Sequence, residues 1–225
     1  MASDLLIQNQ TQFNFEEFFM PYDLAVQTFI IKLEGIRQQY RKKGLHSPIE
    51  SVTGRVKSCQ SIIDKIGLEN INEQNLEALY DIAGIRILCK YVDDIAVVAE
   101  MLRNRRDVDV IKEKDYVHNS KSSGYRSYHL MSNYLVETID GVKPVRIEFQ
   151  IRTHAMHLWA TVEHRLKYKY KGEIPPEIRE RLVRAASATV SLDEELSAIK
   201  NEIEEARSEF TANRGSICDL MHWNY

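Results

Sequence analysis

The strongest fold signal of the chain lies in residues 128–152, YHLMSNYLVETIDGVKPVRIEFQIR. Asp140-Gly141 separates two segments rich in β-forming residues, Tyr128–Ile139 and Val142–Ile151. An Asp-Gly pair in this position favours the tight turn of a β-hairpin. Thr153 follows the second segment and can cap a helix that runs to about Tyr168. We therefore predict a hairpin that leads directly into a helix.

Long helices are predicted on both sides of this hairpin. Large apolar residues recur every three or four positions between Phe15 and Tyr40, and a heptad-like apolar spacing extends from Ile178 to Phe210. The other predicted elements are a helix capped by Ser58 through Ile66, a helix closing with Leu76–Tyr80, a strand at Ile82–Tyr91, a helix from Asp93 to about Asn104, a short strand at Asp107–Ile111, a loop at Lys112–Gly124 and a break at Gly172–Pro176. Strands in the middle and helices at both ends indicate an α+β domain.

The segment before Lys57 admits two interpretations. Ser47-Pro48-Ile49-Glu50 has the spacing of a helix capping box, whereas Val52–Val56 is rich in β-forming residues, so we favour a strand. In a strand, Arg55 and Lys57 share a face, and Lys65 follows on the next helix. A guanidinium can lie against a purine, and lysines suit triphosphate oxygens. Because the chain has no GxxxxGK[ST] motif, any ATP site must be built from side chains.

The composition excludes several classes of protein. Hydrophobic residues make up 44% and charged residues 28% of the 225, which is ordinary for a globular domain. No stretch approaches the roughly 20 apolar residues that cross a bilayer, and the first dozen residues lack a secretory signal, so we expect a cytoplasmic protein without a membrane partner. The three scattered cysteines form neither a disulfide framework nor a CxxC metal site.

Charge is unevenly distributed along the chain, whose net charge is −3. Residues 103–129 contain seven Lys or Arg and four Asp or Glu, whereas residues 193–209 contain two basic and seven acidic residues. A basic middle with an acidic tail suits a protein that binds a compact anion centrally. Solvated charge on helix faces would explain the same distribution.

The segment Arg146–Arg152 has an unusual polar row. Strand alternation places three apolar side chains on one face and Arg146, Glu148, Gln150 and Arg152 on the other. This row could hold a metal and nucleotide phosphates, although a half-solvated strand would show the same pattern. Asp81 precedes the neighbouring strand and could share one Mg²⁺ with Glu148, or it could simply terminate a helix. Strict alternation would put Asp81 and Arg86 on opposite faces, so either the strand begins after Asp81 or the two serve different surfaces.

The segment Lys121–His129 is a third candidate for nucleotide binding. Gly124 would let the backbone approach a ligand, and Tyr125 offers an aromatic face for base stacking. Lys121 and Arg126 could neutralise phosphate. A loop followed by an edge strand is the alternative interpretation.

In chain order these residues resemble the synthetase domain of the RelA/SpoT family, in the short form known as small alarmone synthetases. The resemblance covers roughly residues 15–210. Its segments are His46-Ser47-Pro48-Ile49-Glu50, Thr53-Gly54-Arg55-Val56-Lys57, Asp81-Ile82-Ala83-Gly84-Ile85-Arg86, Ser123-Gly124-Tyr125-Arg126-Ser127-Tyr128-His129, Glu148-Phe149-Gln150-Ile151-Arg152-Thr153 and Trp159-Ala160-Thr161-Val162-Glu163-His164.

The resemblance implies a mixed sheet of about five strands flanked by helices, in a nucleotidyltransferase-like synthetase fold. It also implies a Mg²⁺-dependent transfer of the β,γ-pyrophosphate of ATP to the 3′-hydroxyl of GDP or GTP, with release of AMP, in the bacterial stringent response. Asp81 and Glu148 would hold the metal, and Glu148 would deprotonate the hydroxyl. The implied ATP-binding residues are Arg55, Lys57, Ser61, Lys65 and Arg86. The implied guanine-nucleotide residues are Lys114, Lys121, Tyr125, His129, Gln150 and Arg152.

The resemblance further implies a homo-oligomer, often a tetramer, formed through the terminal helices. We expect a flexible N-terminus at residues 1–14, the synthetase domain at 15–211 and a C-terminal tail at 212–225. Two other functions would use the same residues. One is a module that binds single-stranded RNA through the basic middle, and the other is a nucleotidyltransferase that releases pyrophosphate.

Overall fold

The computed structural model describes the backbone of residues 13–169 and 175–221 and the side chains of residues 13–166 and 175–207. The expected flexible N-terminus, except for its last two residues, and most of the predicted break at Gly172–Pro176 lie outside these ranges. No helix in the described part of the chain combines the length and the apolar composition that a bilayer crossing requires.

Five strands form one mixed sheet that is flanked by helices, which confirms the predicted α+β class. In chain order the elements are α1 (Phe15–Lys42), β1 (Ser51–Val56), α2 (Cys59–Ile66), a 3₁₀ turn (Leu68–Asn70), α3 (Glu73–Glu77), β2 (Ala83–Cys89), α4 (Val92–Arg103), β3 (Asp109–Asp115), β4 (Tyr128–Thr138), β5 (Gly141–Thr153), α5 (His154–Lys169) and α6 (Pro176–Met221). The strand order is β1-β2-β5-β4-β3. Only the central β2–β5 pair is parallel, and the three other pairs are antiparallel.

The apolar face of the sheet packs against α1. Phe29 of this helix is fully buried, and its ring meets those of Tyr134 and Phe149 edge to face, at centroid distances of 4.7 and 5.1 Å. Gly54 of β1 lets the helix approach closely, because a Cβ at this position would lie 2.6 Å from a methyl carbon of Val26. Burial of this face fixes the alternation of β5 and so directs its polar residues to the opposite side.

The predicted start signals of two helices are confirmed. The hydroxyl of Ser58 accepts a hydrogen bond from the backbone N–H of Ser61 at the start of α2. The hydroxyl of Thr153 accepts one from Met156 at the start of α5, at 3.1 Å. The strand interpretation of Val52–Val56 is confirmed as well, and so is the hairpin, since Thr138 pairs with Gly141 across the turn.

Two predicted boundaries are wrong. The strand predicted at Asp107–Ile111 runs from Asp109 to Asp115, so its second half occupies part of the predicted loop. This half is polar because β3 is the edge strand and most of its side chains face solvent. The helix predicted to close with Leu76–Tyr80 ends at Glu77 instead, where Arg146 donates a hydrogen bond to the carbonyl of the next residue, Ala78.

Candidate active site

The polar side chains predicted on β5 share one face of the sheet with those of its neighbours. The register places Glu148 between Gly84 of β2 and Met131 of β4, and it places Gln150 between Arg86 and His129. On the next strand, β1, Arg55 lies opposite Gly84. Because directly paired residues point to the same side, four strands contribute to one polar surface.

Glu148 is the most constrained carboxylate on this surface. Its side chain is 13% exposed, and its two oxygens lie 2.8 Å from Nδ1 of His129 and 2.7 Å from Nε2 of Gln150. Burial raises the pKa of Glu148, but the hydrogen bonds from His129 and Gln150 and the charge of His129 outweigh it, so the pKa lies below its usual value. The group is therefore a largely buried, ionised carboxylate.

Asp81 lies just before β2, which begins at Ala83, so the interpretation in which the strand starts after Asp81 is the correct one. One carboxylate oxygen accepts a hydrogen bond from Lys57 and the other from Lys65, both at 2.8 Å. Burial raises the pKa of Asp81, and the two ammonium groups lower it further than burial raises it. The charge of Asp81 in turn raises the pKa of Glu148, although less than His129 and Gln150 lower it.

The two carboxylates suit one kind of metal site. Among the described residues, no three His, Cys, Asp or Glu side chains gather at a single point. Mg²⁺, however, is commonly bound by one or two carboxylates, with water and substrate phosphates as its other ligands. Asp81 and Glu148 match this donor set, and Lys57 and Lys65 must leave Asp81 before both of its oxygens are free.

The segment Lys121–Ser127, here called the Tyr125 loop, presents Tyr125 to the polar face. The Tyr125 hydroxyl lies 2.9 Å from Nε2 of His129, and the Lys121 ammonium lies 5.0 Å from the centroid of its ring. Lys121 also lies 4.8 Å from the centroid of Tyr116, an aromatic neighbour that sequence reasoning missed. No sequence pattern separated Tyr116 from its neighbours, because it lies in a segment that was predicted to be a loop.

Arg152 is a buried cation on this surface. The residue is 5% exposed, and its guanidinium donates hydrogen bonds to the hydroxyls of Ser127 and Tyr125 and to the side-chain oxygen of Gln150. All three partners are neutral, and no carboxylate of the described residues forms an ion pair with it. A buried guanidinium that forms no direct ion pair favours the binding of an anion.

A cleft of about 680 Å³ lies over this face. It gathers six of the predicted site residues: Arg55, Arg86, Lys121, Tyr125, Gln150 and Arg152. Its opposite wall is α5, where sequence reasoning assigned no ligand contacts to Thr161, His164 or Arg165. The sequence feature that could have indicated this wall is the run of basic residues that begins at Arg165. A second cavity of the same volume lies elsewhere, but the carboxylate of Asp107 in its lining is already paired with Lys32 and Arg105.

The other predicted site residues lie outside the lining of the cleft. Ser61 is in the first turn of α2, where its hydroxyl lies 2.9 Å from that of Ser58. Lys114 on β3 is exposed and pairs in register with His129. Arg126 does not face the cleft as a phosphate ligand, because it forms an ion pair with Asp193 at 3.1 Å. Gly124 packs against α6, since a Cβ there would lie 2.3 Å from that of Ala186.

Comparisons with known proteins agree with this geometry. Residues 54–173 match the model of a region found in RelA/SpoT proteins. The chain is 48% identical over 199 residues to the GTP pyrophosphokinase YjbM of Bacillus subtilis, which covers 88% of this chain and 94% of the relative. Small alarmone synthetase 1 of the same organism, bound to its product pppGpp, superposes with a TM-score of 0.78 at 50% identity, covering 83% of this chain and 96% of that one. Its structure bound to AMPCPP gives 0.73 at 46% identity, with coverage of 84% and 97%.

Proposed function

This chain belongs to the RelA/SpoT family, and from that premise we propose that it is a GTP pyrophosphokinase of the small alarmone synthetase type. It transfers the β,γ-pyrophosphate group of ATP to the 3′-hydroxyl of GDP or GTP. The products are AMP and ppGpp or pppGpp. The observation that carries this proposal is the carboxylate of Glu148, held by His129 and Gln150 on the polar face that bears a cleft rich in cations.

Glu148 is assigned the role of general base. A ribose hydroxyl is a poor nucleophile at neutral pH, so a positioned carboxylate assists by accepting its proton. The hydroxyl oxygen then forms a bond to the β-phosphorus of ATP, and the bond from that phosphorus to the α,β-bridging oxygen breaks. The electron pair leaves with AMP. His129 and Gln150 hold the carboxylate in one orientation, because each binds a different oxygen.

The two substrates are assigned to the two sides of the polar face. Arg55 and Arg86 would lie against adenine, with Lys57, Ser61 and Lys65 at the ATP phosphates. Tyr125 would stack on guanine, with Lys114, Lys121, His129, Gln150 and Arg152 around the guanine nucleotide and the reacting centre. Support comes from the cleft, which contains both arginines of the first group and four residues of the second. A relative of 46% identity has been observed with an ATP analogue, which agrees with an ATP site in this family.

Asp81 and Glu148 are the residues that would hold Mg²⁺. When bound, the ion would offset the negative charge that gathers on the phosphates during transfer. The residues' own contribution is an exchange of partners, in which Lys57 and Lys65 leave the carboxylate of Asp81 for the triphosphate. Both ammonium groups end long flexible side chains, so this exchange needs no movement of the backbone.

The test is to incubate the purified chain with ATP, Mg²⁺ and either GDP or GTP and to separate the nucleotides by anion-exchange chromatography. We compare the wild type with Glu148→Gln, which keeps the shape and removes the charge. The expected result is AMP together with a guanine nucleotide heavier by one pyrophosphate, reduced by about 10²–10⁴-fold in the variant. Release of pyrophosphate instead of AMP would point to the other nucleotidyltransferase reaction, and absence of any product would refute the synthetase function.

Self-association through the terminal helices and a cytoplasmic location form part of the proposal. Exposed apolar side chains support the first: Met20, Leu24 and Ile31 on α1, and Leu192, Leu196, Ile199 and Ile203 on α6. Helices with exposed apolar side chains commonly pack against another protein chain. Sedimentation analysis would give the oligomeric state, with a tetramer as the expected result.

Binding of single-stranded RNA needs a separate test. If the chain binds RNA through its basic middle, the affinity should be unchanged in Glu148→Gln and should fall steeply as the salt concentration rises.

A further inference from the structure

The C-terminal helix α6 touches the Tyr125 loop at a buried ion pair. Asp193 of α6 has a side chain that is 2% exposed, and its Oδ2 accepts a hydrogen bond from Arg126 at 3.1 Å. The same oxygen accepts one from the hydroxyl of Thr153 at 3.0 Å. Thr153 ends β5 and caps α5, the helix that forms the far wall of the cleft. One carboxylate thus joins the loop, the catalytic strand and the wall helix.

A second contact with α6, two helical turns from Asp193, also holds the loop. Gly124 has a φ of +80°, and a Cβ added to it would lie 2.3 Å from the Cβ of Ala186. Ala186 is 3% exposed and lies seven residues before Asp193, so both project from the same side of α6. The loop backbone therefore rests on the helix at a position where any larger side chain would push the two apart.

Tyr125 lies between these two anchors. Its neighbours Gly124 and Arg126 contact α6, whereas its own ring lines the cleft. The hydrogen bonds within the loop close short turns only: Gly124 donates to the carbonyl of Lys121, and Lys121 donates to that of Tyr125. Those bonds shape the loop, and the bonds from Arg152 to the hydroxyls of Tyr125 and Ser127 tie it to β5. The anchors on α6 add a second constraint, at the backbone on either side of Tyr125.

We propose that Asp193 is a positioning residue for the guanine nucleotide, acting through Arg126 to hold the Tyr125 loop in its binding position. This inference rests on the proposed function and adds a specific role for α6. Asp193 touches no substrate in this scheme. When only a fraction of molecules hold the loop correctly, the apparent dissociation constant rises by the inverse of that fraction. Loss of the anchor should therefore weaken binding of GDP or GTP and leave ATP binding unchanged.

The experiment compares Asp193→Asn with Glu194→Gln, the same change of charge at the adjacent, exposed position of α6. Steady-state kinetics with each substrate varied in turn give KM for GDP, KM for ATP and kcat. We expect Asp193→Asn to raise KM for GDP by about 10-fold, which corresponds to a loop correctly placed in roughly a tenth of the molecules. KM for ATP should stay within about 2-fold, and Glu194→Gln should match the wild type.

Hydrogen–deuterium exchange of the substrate-free protein provides a readout that does not depend on activity. In Asp193→Asn the amides of Lys121 and Gly124 should exchange about 10-fold faster, while those in the centre of β5 keep the protection of the wild type. If Asp193→Asn does not fold, Arg126→Lys tests the same ion pair from the loop side, because it keeps the charge and loses the guanidinium geometry.

The outcomes separate this inference from the proposed function. A wild-type protein that makes no alarmone refutes the proposed function and this inference with it. An active wild type whose Asp193→Asn variant has an unchanged KM for GDP and unchanged exchange in the loop refutes the inference alone. An equal rise of both KM values would also refute it, because that pattern indicates general loosening of the domain.

Discussion

Replacing Arg152 with methionine should stabilise the free protein while strongly weakening guanine-nucleotide binding. The residue is 5% exposed, and among the described residues the partners of its guanidinium are the neutral groups of Ser127, Tyr125 and Gln150. Replacing a whole buried ion pair by apolar residues of similar volume is often neutral or stabilises a protein by about 1–4 kcal/mol, and the removal of Arg152 leaves no paired carboxylate of the described residues behind. The lost hydrogen bonds offset part of this gain. We expect a net gain of about 1 kcal/mol, which raises the melting temperature of a domain of this size by about 2–4 °C.

The effect on binding should have the opposite sign. Removing one member of a buried charged contact costs about 2–5 kcal/mol. At 1.4 kcal/mol per factor of ten, the affinity for GDP should fall by about 30-fold or more. Thermal unfolding followed by circular dichroism, with and without GDP at one protein concentration, measures both effects together. GDP should raise the melting temperature of the wild type and leave that of Arg152→Met unchanged.

Arg105→Met is the matched control. Arg105 is also a partly buried guanidinium, but it forms a bidentate ion pair with Asp107 at 2.8 and 2.7 Å. Its loss should lower the melting temperature by about 2–4 °C, equivalent to about 1 kcal/mol, and leave the effect of GDP intact. The reasoning would be refuted if Arg152→Met melted as far below the wild type as this control and kept its response to GDP.

Three further changes have defined outcomes. Tyr125→Leu should raise KM for GDP by about 10-fold and leave KM for ATP unchanged in initial-rate kinetics, since base stacking contributes about 1–3 kcal/mol; equal changes in both would contradict the guanine assignment. Phe29→Ala should lower the free energy of unfolding in urea by about 3–5 kcal/mol, because it empties the edge-to-face cluster with Tyr134 and Phe149; a loss below 1 kcal/mol would contradict the packing. Burial raises the pKa of Tyr22 to about 12, so its contribution to stability is complete below pH 10 and is lost as the pH rises toward 12. Tyr22→Phe should therefore lose less stability than the wild type between pH 9 and pH 11 in urea titrations.

Local sequence patterns predicted the parts of the fold that local physics determines. The Asp140-Gly141 turn, the caps at Ser58 and Thr153 and the alternation of β5 each depend on residues within a few positions of one another. The alternation alone placed Glu148, Gln150 and Arg152 on the polar face. The extent of β3 was missed because the polar pattern of a solvated edge strand resembles that of a loop.

The contacts that sequence reasoning missed are those between distant segments. Arg126 was expected to bind phosphate, yet it pairs with Asp193, 67 positions later in the chain. Gly124 was singled out for the approach of a ligand, and its contact with Ala186 was not predicted. Both residues are of types that suit phosphate sites, and no local pattern distinguishes a cation that meets a ligand from one that meets a carboxylate of another helix.

The two sides of the cleft differ in how their positive charge is balanced before substrates arrive. On the side assigned to ATP, Lys57 and Lys65 are already paired with Asp81, which balances one of their two charges, so binding there exchanges ion pairs within the protein for ion pairs with the substrate. On the side assigned to the guanine nucleotide, Arg152 forms no ion pair with a carboxylate of the described residues. Arg86, assigned to adenine, pairs in register with the adjacent Gln150, and its Nε is buried without a hydrogen bond. An anion bound near these groups gains charge neutralisation without displacing a protein partner. Guanidiniums without an ion-pair partner lower the stability of the folded protein. The contacts with α6 and β5 are therefore needed to hold the Tyr125 loop and Arg152 in position when no nucleotide is bound.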